Sequence, residues 1–150
     1  MQIKTKASGI VEVPEEHIIT IPAGLFGFED YTTFALYDST YHPFVWLQSL
    51  QNENLAFLMI DPFLVCGDYE TDIDDKELQK IGIDDPADVR VMTLVTVPGD
   101  GNPVTANLMG PLVINKKNRK AMQVIVDDSR WSTKYKLLEG LERRQRGKKC

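Results

Sequence analysis

From His17 to Val126 the chain is a succession of short β-branched and aromatic runs, each cut off by turn residues. That punctuation constrains the fold more than any other feature, because it marks antiparallel strands joined by tight connections. His17–Ile21 closes on Pro22-Ala23-Gly24, and Thr33–Tyr37, Phe44–Leu50 and Leu55–Ile60 follow between polar turns. Val89–Val97 is apolar on both faces, with Val89, Val91, Val95 and Val97 on one and Met92 and Leu94 on the other. A strand covered on both sides is central to its sheet. The turn Pro98–Pro103 is expected to supply positive-φ positions, and Val104, Ala106 and Leu108 then alternate inward. Leu112–Ile114 and Ala121–Val126 read as a hairpin with a polar, basic tip at Asn115–Lys120.

One segment has a helical signature. Asp74 is placed as N-cap with Glu77 three residues on, Leu78 and Ile81 share a face, and Gly82 is positioned to end the helix. The fold class is therefore all-β: a small antiparallel barrel-like or two-sheet domain with one short helix near residues 75–82. It spans residues 1–138. Residues 139–150 lack apolar periodicity and are expected to form a basic, mobile tail.

Composition sharpens this outline. The net charge of −5 conceals a split: residues 1–115 carry 18 acidic and 5 basic side chains, whereas residues 116–150 carry 4 and 12. Within the body, residues 53–88 hold 11 acidic side chains against 2 basic ones, a negative field that repels nucleic acid and attracts a basic partner. Cys66, in an apolar-flanked stretch, is expected to be a buried thiol, and Cys150 a free thiol at the end of the tail. Met1–Lys6 shows no apolar signal-peptide core, and the run Leu55–Ile60 is too short to span a bilayer, so a cytoplasmic, non-membrane protein is expected.

Catalytic and metal motifs do not emerge. His17 and His42 are isolated, which suits surface or packing roles better than catalysis, and no GxSxG, HExxH or phosphate-loop pattern occurs. Gly99-Asp100-Gly101 continues into Asn102-Pro103, which would not open a helix on a phosphate. Asp68, Glu70, Asp72 and Asp74 alternate like the start of a calcium loop, but Ile73 and Gln79 stand where that loop needs glycine and a bidentate glutamate. No enzyme activity, cofactor or metal is expected.

Three strings resemble the FliW family of bacterial flagellar assembly factors. Ile21-Pro22-Ala23-Gly24-Leu25-Phe26-Gly27-Phe28-Glu29 is similar to its opening motif, and Phe44–Ser49 with Ala56-Phe57 and Pro62 to its second block. Gly110–Asn115 with Ala121–Val126 resembles its third. The resemblance implies a non-enzymatic barrel-like protein that switches partners. Such a protein is expected to bind newly made flagellin near the C-terminal region of that protein and, once released, to bind the RNA-binding repressor CsrA and relieve repression of flagellin translation. On this reading CsrA is expected at the acidic region, with Asp61, Asp68, Glu70 and Asp72 supplying charge and Pro62 and Phe63 an apolar anchor. Flagellin, as an amphipathic helix, is expected in an apolar groove near Leu25, Phe26, Phe28 and Phe44. The alternative is a small β-barrel RNA binder using the tip Lys116–Lys120 and the basic tail.

Overall fold

A computed structural model of the chain describes residues 1–100 and 102–147. A hairpin, β1 (Gln2–Thr5) and β2 (Gly9–Glu12), precedes the main sheet. That sheet contains β3 (Ile18–Thr20), β4 (Thr33–Asp38), β5 (Val45–Ser49), β6 (Ala56–Ile60) and β7 (Val89–Thr96). The same sheet also holds β8 (Thr105–Ala106), β9 (Leu112–Asn115), β10 (Ala121–Gln123) and β11 (Tyr135–Lys136). Three short helices, α1 (Pro62–Val65), α2 (Asp75–Gln79) and α3 (Leu137–Gln145), pack outside it.

The main path runs β10-β9-β7-β6-β5-β4-β3, with antiparallel pairing throughout. Its two ends meet: Thr20 N–H donates to the carbonyl of Arg119 at 3.0 Å within an isolated parallel bridge between Thr20 and Lys120, so the sheet curls into a barrel with a one-residue seam. Arg119 stands at that seam in the left-handed region, with φ of 62°. The alternation visible in the sequence now has a direction. Ile19, Phe34, Leu36, Val45, Leu47, Met59, Met92, Leu112 and Ile114 are buried inside the barrel.

The opposite faces are covered piecemeal. The hairpin β1–β2 lies over Ala35 through Ile3 and Val13, and is pinned by buried Gln48, whose Oε1 accepts from Lys6 N–H at 2.9 Å. Leu78, Ile81 and Ile83 cover Val113 and Val124. On a third side, Ile60, Tyr69, Ala106, Leu108, Val126, Trp131 and Leu137 form a second core. β7 is central, as its two apolar faces imply: Met92 and Leu94 point into the barrel, Val91 and Val95 toward this second core. It also changes partner along its length. Val89–Met92 pair with β9, and Val95–Thr96 pair with β8.

The helix expected near 75–82 forms as α2 with a Schellman ending, since Gly82 N–H reaches Gln79 O and Ile83 N–H reaches Leu78 O, with φ of 73° at Gly82. Its cap is half of what the spacing suggests. Asp74 accepts from Lys76 N–H at 3.0 Å, but Glu77 turns outward to Lys80 at 2.9 Å. The turn after β7 is built on Asp100, whose carboxylate accepts from Asn102 N–H and Nδ2, and Gly99 is not left-handed; Gly101 lies outside the described residues.

Two expectations are corrected. Residues 139–145 are not a loose tail but belong to α3, whose Leu137 and Gly140 are buried against α1 and the second core. Leu137, Gly140 and Leu141 follow helical i, i+3, i+4 spacing, and the glycine is what lets the helix sit so close. Cys66 is buried as expected, at 1% exposure, but it is disulfide-bonded instead of a free thiol. Lys148, Lys149 and Cys150 lie outside the described residues.

Candidate interaction surfaces

The acidic region is organised by a local device. Asp61 accepts from Phe63 N–H at 2.9 Å and Pro62 occupies the first helical turn, so α1 begins at once after β6. This one-turn helix buries Pro62 and Val65 and turns Phe63 and Leu64 outward, 41% and 40% exposed. Phe63 does not hang free. Its ring meets Tyr69 edge-on at 5.8 Å, and Tyr69 meets Trp131 at 5.0 Å. Tyr69 is 2% exposed, its hydroxyl donates to Leu108 O at 2.6 Å, and burial pushes its phenol above the usual tyrosine range.

Charge frames this aromatic stack. Asp68, Glu70 and Asp72 are all exposed, and among the described residues Asp68 and Asp72 make no ion pair. Glu70 lies 3.7 Å from Arg130, which is held mainly by Asp128 at 2.7 Å and lies over Trp131 at 4.9 Å. The Arg130 hydrogen bonds hold the Asp128 carboxyl below its ordinary value. Of the six residues expected here, Phe63, Asp68, Glu70 and Asp72 therefore face solvent. Pro62 is interior and Asp61 is committed to its cap. Leu64, which the sequence reading passed over, is exposed beside Phe63.

The other expected surface is built by two consecutive tight turns in Ile21–Glu29. Gly24 N–H bonds Ile21 O at 2.8 Å and Phe28 N–H bonds Leu25 O at 2.8 Å, with Gly24 and Gly27 at φ of 70° and 86°. A side chain at Gly24 would strike the Glu29 backbone, 2.5 Å from Cα. Gly27 N–H donates to the Glu29 carboxylate at 3.0 Å, which holds that carboxyl below its ordinary value. The loop buries Leu25 and presents Phe26 and Phe28, 55% and 38% exposed. Phe28 stands edge-on to Phe57 at 5.1 Å and so closes this end of the barrel.

Gln123 explains why distant strings occur together. Its Oε1 accepts from Phe26 N–H at 2.9 Å and its Nε2 donates to Gly110 O at 2.9 Å, so one amide ties the first string to both halves of the third. The four residues expected to make one groove are split. Phe26 and Phe28 adjoin, Leu25 is core beneath them, and Phe44 packs with the second core ahead of β5. β6 separates the two neighbourhoods: Phe57 underlies Phe28, while Ile60 leads into Asp61 and α1.

The strings that meet at Gln123 lie within residues 2–137, the stretch that matches the family model described as FliW protein. The chain belongs to the FliW family. It is 52% identical to the flagellar assembly factor FliW of Treponema denticola over 94% of this chain and 96% of that one. The FliW of Treponema pallidum is 50% identical over the whole of both chains, and that of Bacillus subtilis is 40% identical over 90% of this chain and 95% of its own. A crystal structure of the flagellar assembly factor FliW superposes with a TM-score of 0.82 at 35% identity, covering 91% of this chain and 96% of that one. The FliW fold thus accounts for the overall architecture. No helix among the described residues is long and apolar enough to cross a membrane.

Proposed function

We propose that the protein is a cytoplasmic flagellar assembly factor that binds newly made flagellin as a chaperone and, when free, binds CsrA to relieve repression of flagellin translation. Membership of the FliW family supports the flagellar role. The observation that carries the two-partner reading is the placement of two apolar anchors at opposite ends of β6. Phe26 and Phe28 stand at one end, and Phe63 among Asp68, Glu70 and Asp72 at the other. An exposed aromatic ring in a segment with the exposed carboxylates of Asp68, Glu70 and Asp72 suits a basic RNA-binding protein, whereas the uncharged phenylalanine pair suits the apolar stripe of a helix. No enzymatic step is needed.

The RNA-binding alternative is less well supported. Lys116 Nζ contacts Ala87 O at 3.3 Å, Lys117 pairs with Asp88 at 3.3 Å, and Arg119 reaches Glu15 O at 3.0 Å, so the basic tip is drawn onto the body. In α3, Arg146 pairs with Glu142. Calorimetry of the full chain with flagellin, with CsrA and with RNA alone tests the proposal. Heat with both proteins and none with RNA supports it, and the reverse pattern overturns it.

A further inference from the structure

The barrel end opposite Phe28 is open, and the inward-facing register of four strands continues there into charge. Beyond Ile19 comes His17, beyond Leu36 comes Asp38, beyond Ile114 comes Lys116, and before Met92 comes Arg90. These residues line one cavity of about 380 Å³ whose floor is Ile19, Leu36, Val45 and Ile114. Its rim has two sides. Arg90, Lys116 and Arg119 stand on the β7–β9–β10 side, Glu16 and Asp38 on the β3–β4 side. Glu12, also on the rim, already holds the Met1 ammonium at 2.7 Å.

These rim charges do not neutralise one another. Among the described residues Arg90, Glu16 and Asp38 make no ion pair, and Lys116 and Arg119 contact only the carbonyls of Ala87 and Glu15. An apolar floor beneath converging, unpaired charges in a barrel mouth is the arrangement of a ligand site. We propose that this mouth binds the free C-terminus of a partner polypeptide whose last residue is aliphatic and which carries a basic residue just upstream. The aliphatic side chain enters the floor, and the terminal carboxylate meets the guanidinium of Arg90 with Lys116 and Arg119, where charge-assisted, bidentate pairing is strongest. The upstream cation then passes Glu16 and Asp38. The cavity holds one or two residues, and its open side lets the rest of the chain leave.

The test uses the full chain and an N-acetylated hexapeptide ending in lysyl-leucine with a free carboxylate, titrated calorimetrically beside its C-terminal amide and beside 4-methylpentanoate. The acid is expected to bind at least about tenfold tighter than the amide, the loss that goes with one charge-assisted hydrogen bond. Arg90→Gln should weaken the acid by about tenfold on the same ground, with an unchanged unfolding temperature because Arg90 is exposed and unpaired. Asp38→Asn should weaken the lysyl peptide and leave a seryl counterpart unaffected. Equal binding of acid and amide, absence of binding at millimolar peptide, or indifference to Arg90→Gln would each overturn the proposal. So would 4-methylpentanoate binding as tightly as the peptide, since the site would then read a small acid and not a chain end.

Discussion

Gly140 sets two effects of opposite sign against each other. In an isolated helix, Gly→Ala gains about 1 kcal/mol because alanine loses less backbone freedom. In α3 the new Cβ would stand 2.6 Å from Val65 Cγ1, 3.1 Å from Val65 O and 3.1 Å from Tyr135 Cε1. Carbon atoms rest about 3.5–4.0 Å apart, so α3 must lift by about 1 Å. The valine methyl can rotate away; the α1 carbonyl cannot. Overpacking of this kind costs about 1–3 kcal/mol, which leaves Gly140→Ala destabilised by about 1 kcal/mol after the propensity gain is subtracted. The unfolding temperature should fall by about 2–4 °C. Amide protection across Leu141–Gln145 should drop about fivefold, the factor that corresponds to that energy. Leu138→Ala, at a 62% exposed position of the same helix, is the control and should be neutral within about 0.5 kcal/mol. A higher unfolding temperature together with stronger amide protection in Gly140→Ala would show that propensity wins, and would refute the seating of α3 on Val65.

Three further outcomes are expected. Tyr69→Phe leaves Leu108 O without its donor and should cost about 1–3 kcal/mol in urea denaturation at neutral pH. Because the folded chain holds the Tyr69 proton more tightly than the ordinary value of 10.0, wild-type stability should decline as pH rises above that value, and Tyr69→Phe should remove this part of the decline. Phe26→Ala should leave thermal stability within about 0.5 kcal/mol and abolish flagellin binding, whereas Phe28→Ala should also lose about 1–2 kcal/mol from its contact with Phe57. Reversing Asp68, Glu70 and Asp72 together to lysine should slow association with CsrA at low salt in stopped-flow experiments; an unchanged rate would remove the acidic face from the interface.

What the sequence made legible was whatever had a local cause. The strands at Thr33, Val45, Ala56 and Val89 are β-branched and aromatic runs with turn residues at their ends, and each forms within a residue or two of its expected span. α1 had a local cause too, an Asp cap followed by proline, but a single turn carries no periodicity. α3 escaped because its contact stripe is Leu137, Gly140 and Leu141, and a glycine that makes a contact leaves no mark on an apolar pattern. At the surfaces the limit was distance. The sequence shows that Phe26, Phe28, Phe44 and Phe63 are aromatic, but only the register of β5 and β6 shows that Phe44 belongs with the second core and Phe28 with the barrel end.

The seam at Thr20 and Arg119 fixes the order in which the molecule is completed. Every other joint on the main path is a ladder of three or more residues, and the four ladders from β3 to β7 join strands adjacent in the chain order. The seam joins the first strand of that path to the last, and rests on a bridge of one residue pair, Thr20 and Lys120. Contacts between distant parts of a chain reward the entropy of closure last. On the ribosome, β3 and the strands after it are therefore made and paired while the barrel is still an open sheet. Through that interval β3 offers a bare edge to any strand that passes. Translation past Arg119 ends the exposure, so the β9–β10 hairpin serves as the clasp of the fold.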